Sequence, residues 1–149
     1  MKLSKKSRYG IAALIDLAIY QKEGRVALNN IAERNKISLQ YLEQVFAALR
    51  RNKIVKSIKG AQGGYLLAKD VKDITVAEII DALDGTYKIE NEEGESVASR
   101  IIQDKIVDRV NDNLDEILTN ITLRDLLEAH GEYIAVSYTH LTLPTTSRV

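Results

Sequence analysis

The stretch Ile31-Ala32-Glu33-Arg34-Asn35-Lys36-Ile37-Ser38-Leu39-Gln40-Tyr41-Leu42-Glu43-Gln44 decides the fold. Leu28, Ile31 and Ala32 share one face of a short helix over about residues 28–34. Asn35-Lys36-Ile37 then makes a tight connection, with Asn35 suited to a left-handed backbone. Ser38 is a favoured N-cap, because its hydroxyl can accept from a free backbone N–H of the next turn. The helix it opens runs to about Asn52 and buries Leu42, Val45, Phe46 and Leu49. Two short helices joined by so short a turn predict a helix-turn-helix.

Outward from that unit the pattern continues. Upstream, Ile11, Leu14, Ile15, Ala18 and Ile19 mark an amphipathic helix from about Ser7 to Tyr20. Downstream, Ile54-Val55-Lys56-Ser57-Ile58 alternates like a strand, and Lys59-Gly60-Ala61-Gln62-Gly63-Gly64 is a turn. A second strand, Tyr65-Leu66-Leu67-Ala68, completes a hairpin. Helix-turn-helix followed by hairpin is the winged-helix arrangement.

The second half changes character. Thr75-Val76-Ala77-Glu78 reads as a capping box opening a helix through Leu83, with Gly85 to end it. Tyr87 to Glu95 is a polar, carboxylate-rich link. From Ser96 to Ile121, Ile102, Ile106, Val110, Leu114, Ile117 and Ile121 recur at helical spacing. A helix of that length spans roughly 39 Å, more than a small winged-helix core can cover. An identical helix from a second subunit is the simplest cover, although the stripe could instead fold back on its own domain. Thr122-Leu123-Arg124-Asp125 caps a short closing helix through Glu128. The Thr-rich stretch from Val136, which holds the only proline, Pro144, reads as a translated vector remnant and is set aside from the fold.

The expected fold class is therefore mainly α: a winged helix-turn-helix with a two-stranded wing and a long C-terminal dimerisation helix. Its expected divisions are a winged-helix domain over 1–85 and a link over 86–95. The dimerisation and closing helices then take 96–130, and a non-native tail 136–149.

The composition narrows function. The 149 residues suit one domain with its own core. No run of about 18 apolar residues offers a membrane span, and the basic N-terminus lacks the apolar stretch of a signal peptide, so a cytoplasmic address is expected. With no cysteine and only His130 and His140, thiolate metal sites, thiol redox sensing and histidine-based chemistry have no residues to use. Gly60 to Gly64 lies between strands and is not followed by Gly-Lys-Ser/Thr, so it is not a phosphate-cradling loop. The acidic residues of the second half alternate with Arg100, Lys105 and Arg109 as a solvated helix face does. No enzyme activity is expected.

A net charge of zero hides a polarity. Residues 1–69 carry fourteen Lys and Arg against four Asp and Glu, whereas residues 70–135 carry six against seventeen. One end suits a polyanion and the other does not. On the N-terminal half the side chains also suit duplex DNA, with a recognition helix reading base edges through its first turns. Ser38, Gln40, Tyr41, Glu43 and Gln44 occupy those turns. Gln can bond adenine bidentately and Glu can accept from cytosine, although Glu43 could equally be a helix-dipole partner. Arg50, Arg51, Lys53 and Lys56 carry the positive surface into the wing, where Lys59 and Gly60 form the tip. Lys59 there could enter an adjacent minor groove. The competing reading is a winged-helix protein-interaction module without DNA binding, which predicts an apolar or acidic outer face on the second helix of the pair. Arg50 and Arg51 oppose it.

These stretches also carry a likeness. Leu3-Ser4-Lys5-Lys6-Ser7-Arg8-Tyr9-Gly10, the Tyr41-Leu42-Glu43-Gln44 run, the wing Lys59 to Tyr65 and Ile121-Thr122-Leu123-Arg124-Asp125-Leu126 resemble the Rrf2 family of bacterial transcription regulators. The resemblance covers nearly all of residues 1–129. It implies a homodimer that represses promoters through an imperfect palindrome, with DNA contacts from Lys6, Arg8, Ser38, Gln40, Tyr41, Glu43, Gln44 and the wing tip. The usual wing-tip Arg is Lys59 here, which keeps charge but loses bidentate recognition. The usual Gly is Ser7. The family's iron–sulfur members hold their cluster with three cysteines in the loop before the long helix, and none is present here. The chain thus looks like the cluster-free branch, that of the cysteine-metabolism repressor. This implies no cofactor and a metabolic enzyme such as cysteine synthase as a partner.

Overall fold

The structure is a computed structural model; it describes residues 3–61, 63–90, 92 and 94–147, with side chains described as far as residue 137. Helix α1, Lys5–Tyr20, starts two residues earlier than expected because Ser4 caps it, accepting from the Ser7 N–H at 3.0 Å. Helix α2 spans Leu28–Asn35 and α3 spans Leu39–Arg51. The left-handed residue between them is Lys36 (φ 55°), not Asn35. Asn35 stays helical because its side chain is already used, donating to Asp16 Oδ2 at 3.1 Å and to the Ile31 carbonyl at 2.9 Å.

Strands β1, Val55–Ile58, and β2, Gly64–Leu67, pair antiparallel with Val55 opposite Leu67 and Ile58 opposite Gly64. Val26 adds a short third rung, exchanging backbone hydrogen bonds with Tyr65 at 3.0 and 2.8 Å. Gly64 permits that approach, since a Cβ there would lie 2.7 Å from the Val26 carbonyl oxygen. The Gln21 side chain accepts from the Leu67 N–H at 2.9 Å, tying the end of α1 to the wing.

Helix α4, Val76–Asp84, ends as expected at Gly85, whose φ is 85°. Only half of its predicted capping box forms. Thr75 accepts from the Glu78 N–H, but the Glu78 carboxylate turns to Lys69, 2.7 Å away. The full reciprocal box appears instead at Thr122 and Asp125, with bonds of 2.9 and 3.2 Å.

The long helix is α5, Val97–Ile102, and α6, Asp108–Asn120, joined without a break by a π turn over Gln103–Val107. A π turn closes i→i+5 bonds, so it shifts the α-helical register between α5 and α6. Helix α7, Leu123–Ser147, is much longer than the predicted segment ending at Glu128. Its backbone continues helically past Val136, into the stretch set aside from the fold on sequence grounds.

The core is the interior of the first four helices. Phe46, Leu14, Leu17, Ile31, Leu42, Leu49, Ile54, Ile74, Ile79 and Leu123 are fully buried there. Leu123 belongs to α7, and a backbone bridge between Thr75 and Thr122 holds the α6–α7 junction on the start of α4. Among the described residues, no helix is long and apolar enough to cross a membrane.

Candidate nucleic-acid interface

Helix α3 presents the site. Its inner face is fixed by Leu42, Val45, Phe46, Ala48 and Leu49, all buried. Helical periodicity then leaves Gln40, Glu43, Gln44, Arg50 and Arg51 on one outward face, and all five are exposed. Ser38 caps the helix through its hydroxyl, which accepts from the Tyr41 N–H at 3.1 Å, and remains exposed. Glu43 lies beyond the first turn, which contains no acid, and has no ion pair among the described residues. The helix-dipole reading of Glu43 loses its basis there, since that effect fades within one turn. It keeps its force for Arg50 and Arg51, which stand in the last turn.

The wing is locked against this helix by aromatic packing. Phe46 and Tyr65 meet edge to face with ring centroids 4.9 Å apart. Lys59, Gly60 and Ala61 are exposed at its turn, where Gly60 has φ 137°, a conformation other residues avoid. Lys56 points outward from β1.

A second aromatic pair brings α1 to α3. Tyr9 packs edge-on to Tyr41 at 5.7 Å, and Lys5 Nζ stands 5.5 Å from the Tyr9 ring centre. The shallow groove so formed is lined by Lys5, Tyr9, Lys36, Ser38 and Tyr41. Lys5 and Lys36 therefore flank the start of α3. Sequence reading missed both, treating Lys36 only as a turn residue; its place two residues before an N-cap serine was the available signal. Arg8 is exposed on α1, its Nε donating to the Leu3 carbonyl at 3.1 Å, and Lys6 is half-buried beside it.

Ser7, in place of the usual glycine, is fully buried. Its hydroxyl donates to Asp84 Oδ2 at 2.5 Å, while the Ser4 hydroxyl donates to Asp84 Oδ1 at 2.6 Å. One carboxylate at the end of α4 thus pins the start of α1.

Beyond the basic surface, the apolar stripe of the long helix divides. Ile102, Ile106 and Ile117 are exposed, together with Val97 and Ile101. Val110 and Leu114 are half-buried, and Leu114 faces Ile80 and Leu3 of its own chain. The link is tied down as well: Tyr87 donates its hydroxyl to Asp115, and Lys88 pairs with the same carboxylate at 3.0 Å. Asn111 exchanges two hydrogen bonds with the Ile89 backbone, at 2.8 and 3.1 Å.

Known proteins resemble the chain over most of its length. The regulator IscR of Photorhabdus laumondii is 39% identical over 130 residues, 85% of this chain and 79% of that protein. The solved structure of CymR (YrzC), described as the global cysteine regulator of B. subtilis, matches with a TM-score of 0.74 at 38% identity, covering 87% of this chain and 98% of CymR. The structure of IscR from T. potens matches with a TM-score of 0.72, also at 38% identity, covering 89% and 90%. A family profile described as "Rrf2: Iron-dependent Transcriptional regulator" matches residues 3–129. The residues present do not suit thiolate-held iron. The chain contains no cysteine, and no group of three His, Cys, Asp or Glu among the described residues could hold a metal ion. On fold, identity and the extent of the match, this chain belongs to the Rrf2 family of transcriptional regulators.

Proposed function

We propose that the chain works as a homodimeric, cluster-free repressor that reads a palindromic operator. The observation that carries this reading is the outward face of α3, where Gln40, Glu43 and Gln44 stand exposed without competing partners among the described residues. Gln40 and Gln44 suit adenine edges, and Glu43 suits the cytosine amino group. Lys6, Arg8, Lys36, Arg50, Arg51 and the Lys59–Gly60 wing tip are the phosphate and minor-groove contacts around them. Two copies are needed because the long helix leaves Val97, Ile101, Ile106 and Ile117 uncovered. Pairing those stripes would place two recognition helices on successive half-sites. No iron–sulfur cluster enters the reading, since its thiolate ligands are missing. The likeness to CymR supports a signal drawn from sulfur metabolism; a partner enzyme such as cysteine synthase rests on that likeness alone.

Selection of bound fragments from random DNA, followed by titration at several salt concentrations, tests the reading. A palindromic consensus is expected. Affinity for it should fall by about a thousandfold or more between 50 and 200 mM salt if six or more phosphates are neutralised. Gln44→Ala should relax the preferred base, whereas Lys6→Ala should weaken all sequences alike. A flat salt response, or uniform loss from both variants, contradicts it.

A further inference from the structure

A cavity of about 440 Å³ opens where the segment before α1, the end of α4, the link and α6 converge. Leu3, Ile80, Leu114 and Leu118 form its apolar wall, and Asp84 and Lys88 stand on its polar side. The volume lies within the range of small-molecule sites.

The charges at this cavity are unequal. Asp84 is served there by two neutral donors, the Ser4 and Ser7 hydroxyls. Lys88 is already held by Asp115. Asp81 lies a turn earlier on α4, and burial, then the charge of Asp115, pushes its carboxyl above the usual range. Helix α4 carries no basic residue in its last turn, so its negative end is uncompensated by its own side chains. Both hydroxyls bring Asp84 hydrogen bonds but no positive charge, so a cation entering the cavity would add an ion pair that the carboxylate now lacks. An anion would meet repulsion.

The walls also connect to the working parts. Leu3 holds Arg8 through its carbonyl, and Ser4 caps α1. Leu114 and Leu118 belong to the long helix. We propose that this cavity is an effector site for a small organic ammonium compound with an apolar body, whose charge Asp84 takes. Drawing Asp84 away from Ser4 and Ser7 releases the start of α1 that carries Lys6 and Arg8. The regulatory half of this inference rests on the DNA-binding reading above; the binding half does not.

Phenethylamine, 2-phenylethanol and 3-phenylpropionate share a body and differ in charge, so calorimetric titration of each into the full-length protein tests the site. Phenethylamine should bind saturably, and the alcohol and the carboxylate at least about tenfold more weakly. Asp84→Asn should lose the preference for the amine. Leu118→Trp, which fills the cavity without altering charge, should lose binding of all three while keeping the wild-type far-ultraviolet circular dichroism. Saturating amine should change affinity for the selected DNA several-fold in the wild type and not in Leu118→Trp. Absence of saturable amine binding, or equal binding of amine and alcohol, overturns the site. Amine binding that leaves DNA affinity unchanged overturns the effector role. Amine binding by a protein that binds no DNA sinks the regulator reading instead and leaves the cavity assignment standing.

Discussion

Asp16 lies buried in α1 with three nitrogen atoms aimed at it: Arg34 Nε at 2.9 Å, Arg34 Nη2 at 2.7 Å and Asn35 Nδ2 at 3.1 Å. Arg34 in turn lies 3.7 Å over the Tyr20 ring. This bidentate pair fixes α2 against α1 and so sets the angle at which α3 is offered. Asp16→Ala should destabilise the protein by about 2 kcal/mol in urea unfolding, because it removes charge-assisted bonds and leaves Arg34 unpaired. A loss below about 0.5 kcal/mol would mean the pair is only a surface contact. Tyr87 gives a second test. Its hydrogen bond to Asp115, then burial and that carboxylate's charge, push its pKa from 10.0 to about 12. The raised value favours the neutral phenol in the folded state. Its contribution to stability is whole below the ordinary tyrosine range and is lost as pH rises through about 12. Asp115 moves the other way: bonds from Tyr87 and then Lys88 hold it below its usual range. Its contribution is therefore present above the ordinary carboxylate range and lost in more acid solution. In difference absorbance against Tyr87→Phe, the phenolate should appear near 12, and Asp115→Asn should return it toward ordinary tyrosine behaviour. None of these pairings was legible in the sequence. Tyr87 and Asp115 lie 28 residues apart, and Ser7 and Asp84 lie 77 apart. Local patterns report what a side chain can do, not which distant one the fold brings to it.

Elements were more readable, because their causes are local. The apolar spacing of Leu42, Val45, Phe46 and Leu49 and the Ser38 cap fixed α3 to within a residue of its observed end at Arg51. The shift of the left-handed residue from Asn35 to Lys36 has a tertiary cause, since Asp16 competes for the Asn35 side chain. The π turn over Gln103–Val107 was invisible because the apolar residues around it still fit the three- to five-residue spacing of an ordinary α-helix. The strands were placed by alternation, but the third rung at Val26 was not, being a single residue. That rung makes the wing testable as an element. Gly64→Ala would put a Cβ within 2.7 Å of the Val26 oxygen and 2.9 Å of its carbonyl carbon, so backbone must move. The cost should be about 1–3 kcal/mol. DNA affinity should fall while helical circular dichroism stays near wild type, since α1 to α4 do not depend on the rung. Unchanged thermal stability and affinity would show that the wing is not held through Val26.

At the scale of the molecule, charge and apolar surface divide the labour. The basic surplus lies in residues 1–69 and the acidic surplus in residues 70–135. That division was plain in the sequence; which residues of the long helix remain uncovered was not, because Leu114 turns out to face its own domain. The uncovered set includes Ile106 and Ile117, each more than half exposed at 55% and 56%. They are eleven residues apart, three helical turns, and so share a face. Burying in a paired helix the half of each side chain still exposed would be worth about 1 kcal/mol per side chain. A carboxylate at each position would instead set like charges against each other across a two-fold axis. Ile106→Glu combined with Ile117→Glu should therefore give a monomer in sedimentation velocity at micromolar concentration, with wild-type circular dichroism, since neither residue supports its own core. The monomer should bind a half-site no worse than the wild type does and lose its advantage on the palindrome, because the second recognition helix is no longer delivered by the first. If the double variant stays dimeric, the α5–α6 stripe is not the contact between copies. The exposed apolar residues midway along α7, Tyr133, Ile134 and Val136, would then be the next surface to test.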